Sequence, residues 1–98
     1  MIKMNYEEWI KKAKELFGKD SYEWKFKCTS CGHIQSINSW LEHNPELKAE
    51  EIENLVFFNC EGRINEKYGC DWTLGGLFKI HKVEVEFNGK QVPVFEYA

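Results

Sequence analysis

The segment Trp24-Lys25-Phe26-Lys27-Cys28-Thr29-Ser30-Cys31-Gly32-His33 decides how this chain is read. Starting at Tyr22, the residues Tyr22, Trp24, Phe26 and Cys28 alternate with Glu23, Lys25 and Lys27. A period of two belongs to a strand with one buried face, so the run predicts a strand that delivers Cys28 to a turn. Two residues between Cys28 and Cys31 let both sulfurs reach one metal ion from that turn. Gly32 tolerates positive φ, which helps backbone N–H groups turn towards the sulfurs.

The other two cysteines, Cys60 and Cys70, complete a tetrahedral set of four thiolates, the closed arrangement of structural zinc. The 28 residues between Cys31 and Cys60 are ample for two arms to fold back on one ion. A ribbon's second arm is usually also Cys-x2-Cys, whereas here nine residues separate Cys60 from Cys70. Cys60-Glu61-Gly62-Arg63 begins like a knuckle and lengthens into a loop ending at Gly69-Cys70. One structural Zn2+ held by Cys28, Cys31, Cys60 and Cys70 is the reading adopted. Mononuclear iron or an iron–sulfur cluster shares the ligand set. A thiol redox pair at Cys28 and Cys31 is the remaining rival. Such a pair opens a helix, which Gly32 disfavours, and it leaves Cys60 and Cys70 unexplained.

Outward from this centre, Asn5 and Glu8 form a capping box before an amphipathic helix over about 5–17, with Met4 and Trp9 placed as a hydrophobic staple. Tyr6, Trp9, Ile10, Ala13, Leu16 and Phe17 recur on one face, and Gly18 stops the helix. That face suits packing on its own domain better than a partner or a membrane surface. Ser36 to Leu41 reads as a short helix. A second is expected from Asn44 as cap and Pro45 as first helical residue, through Glu46 to about Glu53. Leu55 to Asn59 reads as an apolar strand delivering Cys60. Asn88-Gly89 predicts a C-terminal hairpin over about 79–95, pairing Phe87 with Lys90, Val85 with Val92 and Val83 with Val94. Pro93 marks its strand as an edge. Gly75-Gly76, followed by Leu77 and Phe78, reads as a tight corner rather than a docking surface.

The chain has 98 residues, 43% of them hydrophobic and 15% aromatic, enough for one folded domain over 1–98 but with a small core. A metal is a common staple at that size. The formal charge is −3, and a dication on four thiolates takes it to about −5. No basic excess favours nucleic acid, although Lys25, Lys27, Arg63, Lys67, Lys79 and Lys82 can form a local patch around the metal loops. The N-terminus lacks a signal-peptide pattern and no stretch is long enough to span a membrane, so a reducing cytoplasmic location is expected and the cysteines read as ligands. His33 sits too close to Cys31 to share the ion comfortably. His43 and His81 stand alone, with no pairing for acid–base work. Four thiolates leave no open metal position for an activated water, and catalysis is not expected.

Across nearly its whole length the chain resembles a phage- and prophage-associated family of small zinc-ribbon-like proteins. The resemblance is carried by Tyr6-Glu7-Glu8-Trp9, the Trp24 to His33 segment, Phe58-Asn59-Cys60-Glu61-Gly62-Arg63, Gly69-Cys70-Asp71-Trp72, Gly75-Gly76-Leu77-Phe78 and Val92-Pro93-Val94-Phe95-Glu96. It implies a phage or mobile-element origin, supports Cys60 and Cys70 as ligands, and implies no activity. The expected fold is α+β: a small zinc-ribbon-like antiparallel β domain with an N-terminal helix and a C-terminal hairpin. The expected role is a non-catalytic module that binds another protein. A nucleic-acid-binding ribbon is the alternative, and a thiol redox protein a more distant one.

Overall fold

A computed structural model describes residues 2–74 and 82–98. The fold is α+β, with two three-stranded sheets and three helices among the described residues. The Gly75-Gly76 corner, Leu77, Phe78, Lys79 and His81 lie outside the described residues.

Strand β1 (Ile2–Asn5) runs straight into helix α1 (Tyr6–Phe17). The capping box forms: Asn5 Oδ1 accepts from Glu8 N at 2.8 Å, and Glu8 Oε1 accepts from Asn5 N at 3.2 Å. Of the helix's apolar face, Trp9 and Ala13 are buried and Ile10 and Phe17 half-buried, while Tyr6 and Leu16 stay exposed. The face thus packs on its own domain, as a small domain needs, but not completely.

The hairpin of β4 (Val83–Phe87) and β5 (Lys90–Val94) has the expected register, Phe87 to Lys90, Val85 to Val92 and Val83 to Val94. Its turn has φ of 52° at Asn88 and 78° at Gly89, the two positive values of a type I′ turn. Pro93 lies on β5, an edge strand. The other edge of this sheet is β1, which pairs parallel to β4. Nothing in the alternation or the turn residues announced that third strand.

The second sheet is smaller. Strand β2 (Phe26–Lys27) lies between β3 (Ile34–Gln35) and β6 (Glu96–Tyr97), antiparallel to both. Here the structure corrects the long strand expected from Tyr22. Ser21–Glu23 forms a 3-10 turn, with the Asp20 side chain accepting from Tyr22 N at 3.0 Å. The alternation survives from Trp24 onward, since Trp24, Phe26 and Cys28 are buried while Lys25 and Lys27 are exposed. Trp24 is pinned by its own indole N–H, donated to Gly18 O at 3.0 Å.

Two further expectations fail for a common reason. Helix α2 (Ile37–His43) is capped by Ser36, but Asn44 ends it and does not begin the next. The Asn44 side chain is drawn inward, where Nδ2 donates to Trp40 O at 3.0 Å. Helix α3 (Ala49–Glu53) therefore starts later. Leu55 to Asn59 is not a strand but a chain of tight turns, with Val56 N donating to Ile52 O and Asn59 N to Leu55 O. In both places a buried polar partner overrides the local pattern. Phe95, fully buried, donates its N–H to Phe57 O at 2.7 Å and ties this turn to the C-terminus. Trp9 stacks on Tyr97 at 5.9 Å and meets Phe57 edge-on at 5.8 Å, so these rings fill the core.

Candidate metal centre

Two hairpin-like arms bring the cysteines together. In the first, β2 and β3 flank a tight turn in which Cys28 N donates to His33 O at 2.9 Å and Gly32 N to Cys28 O at 3.0 Å. Gly32 has the positive φ expected, 78°. In the second, Cys60 N donates to Trp72 O and Leu74 N to Phe58 O, both at 2.9 Å, around a bridge between Asn59 and Thr73. The nine-residue interruption is thus the loop of a second arm, opened by a 3-10 turn at Glu61–Arg63.

All four Sγ atoms lie within 4.8 Å of one another. Two separations run across the arms, Cys28 to Cys70 and Cys31 to Cys60, each 3.8 Å. Sulfurs about 2.3 Å from a central ion at tetrahedral angles stand ~3.8 Å apart. The donor set fits one metal ion, and the four cysteines are free thiols positioned to coordinate it. Cys28 and Cys60 are buried, Cys70 is half-buried and Cys31 is exposed, so the ion would sit at the surface end of the arms.

The second arm closes on two glycines. A Cβ on Gly62 would collide with the Cys70 backbone. Gly69 has φ of 95°, and a Cβ there would lie 2.5 Å from Cys60 Sγ. Only glycine meets both demands. Cys70 N points at Cys60 Sγ at 3.3 Å, an N–H···S bond of the kind that stabilises a ligating thiolate.

Burial pushes the Cys28 and Cys60 thiols up. At Cys31 burial also opposes ionisation, but the His33 backbone N–H and the neighbouring sulfurs outweigh it and lower the thiol. A bound dication would deprotonate all four.

Beside the sulfurs lies a polar cluster that sequence reasoning missed. Glu61 follows Cys60 directly and is completely buried. Its Oε1 is 3.1 Å from His33 Nε2, and its Oε2 is 2.7 Å from His43 Nδ1 and 3.2 Å from Asn44 Nδ2. An imidazole nitrogen facing a carboxylate oxygen can share one proton with it, and the tautomer of each ring sets which atom donates. His33 is held by Glu61 and stands outside the four-cysteine set, in line with its reading from sequence. The reading of His43 as solitary is corrected, since it is paired with Glu61 and stacked on Tyr68 at 3.6 Å. His81 lies outside the described residues.

Gln35, also buried, acts alongside. Its Nε2 donates to Val56 O and Asn59 O, both at 2.7 Å, and its Oε1 accepts from Glu61 N at 2.8 Å. One side chain of the first arm therefore fixes the backbone of the second. The signal available in sequence was slight: Gln35 and Glu61 are polar residues near cysteines, and nothing local marks them as buried.

Of the lysine patch, Lys27 and Lys82 border the first knuckle, together with Glu96. Lys25, Arg63 and Lys67 are exposed, and Lys79 lies outside the described residues. No described helix is long and apolar enough to cross a membrane.

These features define a small α+β protein with a ribbon-like cluster of four cysteines able to bind a metal ion. A family model described as VVA0879-like matches residues 5–98, and the chain belongs to that family. Comparison with curated proteins and with solved structures found no match.

Proposed function

We propose that this protein is a non-catalytic structural-zinc module that binds another protein in the cytoplasm, and that it derives from a phage or mobile element. The observation that carries the reading is the closed set of four thiols with cross-arm separations of 3.8 Å. Four sulfurs saturate a tetrahedral ion, which then orders loops and has no position for a substrate. The all-sulfur set and its spacing favour zinc over harder cations. The acidic balance, −3 before metal, favours a protein partner over a phosphate backbone. The origin rests only on the family resemblance that the segments from Tyr6 to Glu96 carry across nearly the whole chain.

Elemental analysis of protein purified without added metal should give one zinc per chain, and iron would overturn the metal assignment. Cross-linking in the native host should then recover a protein. A nucleic-acid ribbon is the second reading, drawn from Lys27 and Lys82 beside the knuckle. Glu96 among them argues for weak binding that falls steeply with salt. Tight, sequence-specific binding at physiological salt would put that reading first. The convergence of Cys60 and Cys70 on Cys28 and Cys31 counts against an independent redox pair.

A further inference from the structure

Away from the cysteines, an apolar cleft of about 420 Å³ opens between α1, the β4–β5 hairpin and the turns after α3. Trp9, Phe26, Phe57, Val85 and Val92 line it. That volume lies within the range of roughly 300–1,000 Å³ typical of binding pockets, and the lining is of the same apolar and aromatic kind. At its mouth stand Tyr6 and Phe87, 44% and 47% exposed, touching edge-to-face at 5.2 Å. The same two rings border a second hollow, so the two depressions meet at the Tyr6–Phe87 pair.

The charges along this groove have one sign. Glu53, an exposed residue, lines the larger cleft, and Glu7 and Glu86 line the adjoining hollow. No lysine, arginine or histidine lines either part among the described residues. Lys90 pairs with Phe87 in register but lines neither.

We infer that this groove docks a cationic segment of a partner protein, whose bulky apolar side chains enter the cleft while its Lys or Arg residues meet Glu53, Glu7 and Glu86. The inference deepens the protein-binding reading proposed above and rests on it. Two hollows that share one exposed ring pair suit a segment with several side chains better than one compact small molecule. The acidic mouth disfavours a second copy of a chain that is itself net negative. Apolar anchors supply affinity in such grooves, and complementary charge supplies selectivity and on-rate.

The test uses the zinc-loaded protein and synthetic amphipathic peptides built from Leu and Lys, or from Leu and Glu, at physiological salt. NMR shifts at Trp9, Phe57, Val85 and Val92 report the cleft. The Leu/Lys peptide should shift these residues, and the Leu/Glu peptide should not. Glu53→Lys combined with Glu86→Lys, both exposed sites, should weaken the Leu/Lys peptide about tenfold and leave zinc content unchanged. Phe87→Ala should weaken it without reversing charge selectivity.

Equal binding of both peptides, shifts that map elsewhere, or indifference to the charge reversals overturns the inference. Hexanol filling a cleft that takes neither peptide assigns a small apolar ligand and also overturns it. Concentration-dependent dimerisation with the same shifts assigns the groove to a second copy and overturns it as well. A host partner that cross-links only outside the groove sinks the groove but leaves the protein-binding module standing. A groove that takes the Leu/Lys peptide in a protein that captures only nucleic acid from the host does the reverse.

Discussion

Removing the Glu61 carboxylate should damage both stability and metal affinity, and the size can be worked from its contacts. The side chain is wholly buried and bonded by His33 at 3.1 Å, His43 at 2.7 Å and Asn44 at 3.2 Å. A hydrogen bond to a charged group contributes roughly 1.5–3 kcal/mol, so three bonds set an upper limit well above the net effect. The two imidazoles are partly exposed, 22% and 23%, and can recover water as a partner. Asn44 is buried but keeps its bond to Trp40 O. Glu61→Ala should therefore cost about 3 kcal/mol, a fall of roughly 12–24 °C in melting temperature for a domain of this size. Glu61→Gln keeps the shape and one acceptor but aims an amide donor at a ring nitrogen. A histidine can change tautomer to receive it, so the cost should be about half. Because Glu61 adjoins Cys60 and orients that loop, both variants should also lose zinc to a competing chelator, by roughly 10–100-fold in affinity. The assays are thermal melting at saturating zinc and chelator competition. If both variants melt within about 2 °C of the parent, the cluster does not hold the arms together. If melting falls with affinity unchanged, Glu61 serves packing alone.

Replacing Cys28, Cys60 or Cys70 by Ser should be equally harmful, because each removes one of the four thiolates that close the site and join the arms; Cys70→Ser melting like the parent would exclude it as a ligand. Gly69→Ala should lower zinc affinity as well as stability, since φ of 95° and a Cβ 2.5 Å from Cys60 Sγ are both penalised; unchanged zinc retention would show that the second arm relaxes freely. Acidification should release zinc, because burial raises the Cys28 and Cys60 thiols and protons compete harder as pH falls; chelator competition should show affinity rising with pH, and a flat profile would contradict thiolate ligation. Metal removal should strip hydrogen-exchange protection from the Cys28, Gly32, Cys60 and Leu74 amides while sparing α1 and the β4–β5 hairpin; loss throughout the chain would mean that the metal folds the whole domain.

What could be read from sequence was what local chemistry decides. Asn5 and Glu8 cap their helix from three residues apart, and Asn88-Gly89 sets both a turn and the register of five pairs. Gly32 takes its positive φ for a reason internal to the knuckle. The misreadings arise where a distant polar group decides. Asn44 looks like an N-cap before Pro45, but Trp40 O and the Glu61 carboxylate draw it inward and make it a C-cap. Leu55 to Asn59 looks like a strand because it is apolar, yet Gln35 takes the Val56 and Asn59 carbonyls that a strand would offer to a neighbour. Strand β1 is only four residues long and pairs in parallel with a segment some eighty residues away, too short and too non-local for a periodic signal.

The polar cluster also explains how so short a chain carries a long stretch with little regular structure. Between Asn54 and Leu74 there are only turns, one 3-10 segment and the single bridge of Asn59 with Thr73. No sheet ladder satisfies the backbone there, and an apolar core alone would leave carbonyls unpaired. The Gln35 side chain supplies missing partners, donating to the Val56 and Asn59 carbonyls, while the Glu61 side chain ties this region to the His33, His43 and Asn44 side chains. They also meet one another, through Glu61 N and Gln35 Oε1. That link spans the two arms on the buried side, as the sulfurs span them on the exposed side. The arms are thus joined twice, and ion binding has less loop entropy to overcome than in a free zinc finger. A nine-residue spacing between Cys60 and Cys70 becomes workable for this reason. The loop is held in shape by Glu61, Gly62 and Gly69, and a tight Cys-x2-Cys turn is not needed to bring the fourth sulfur home.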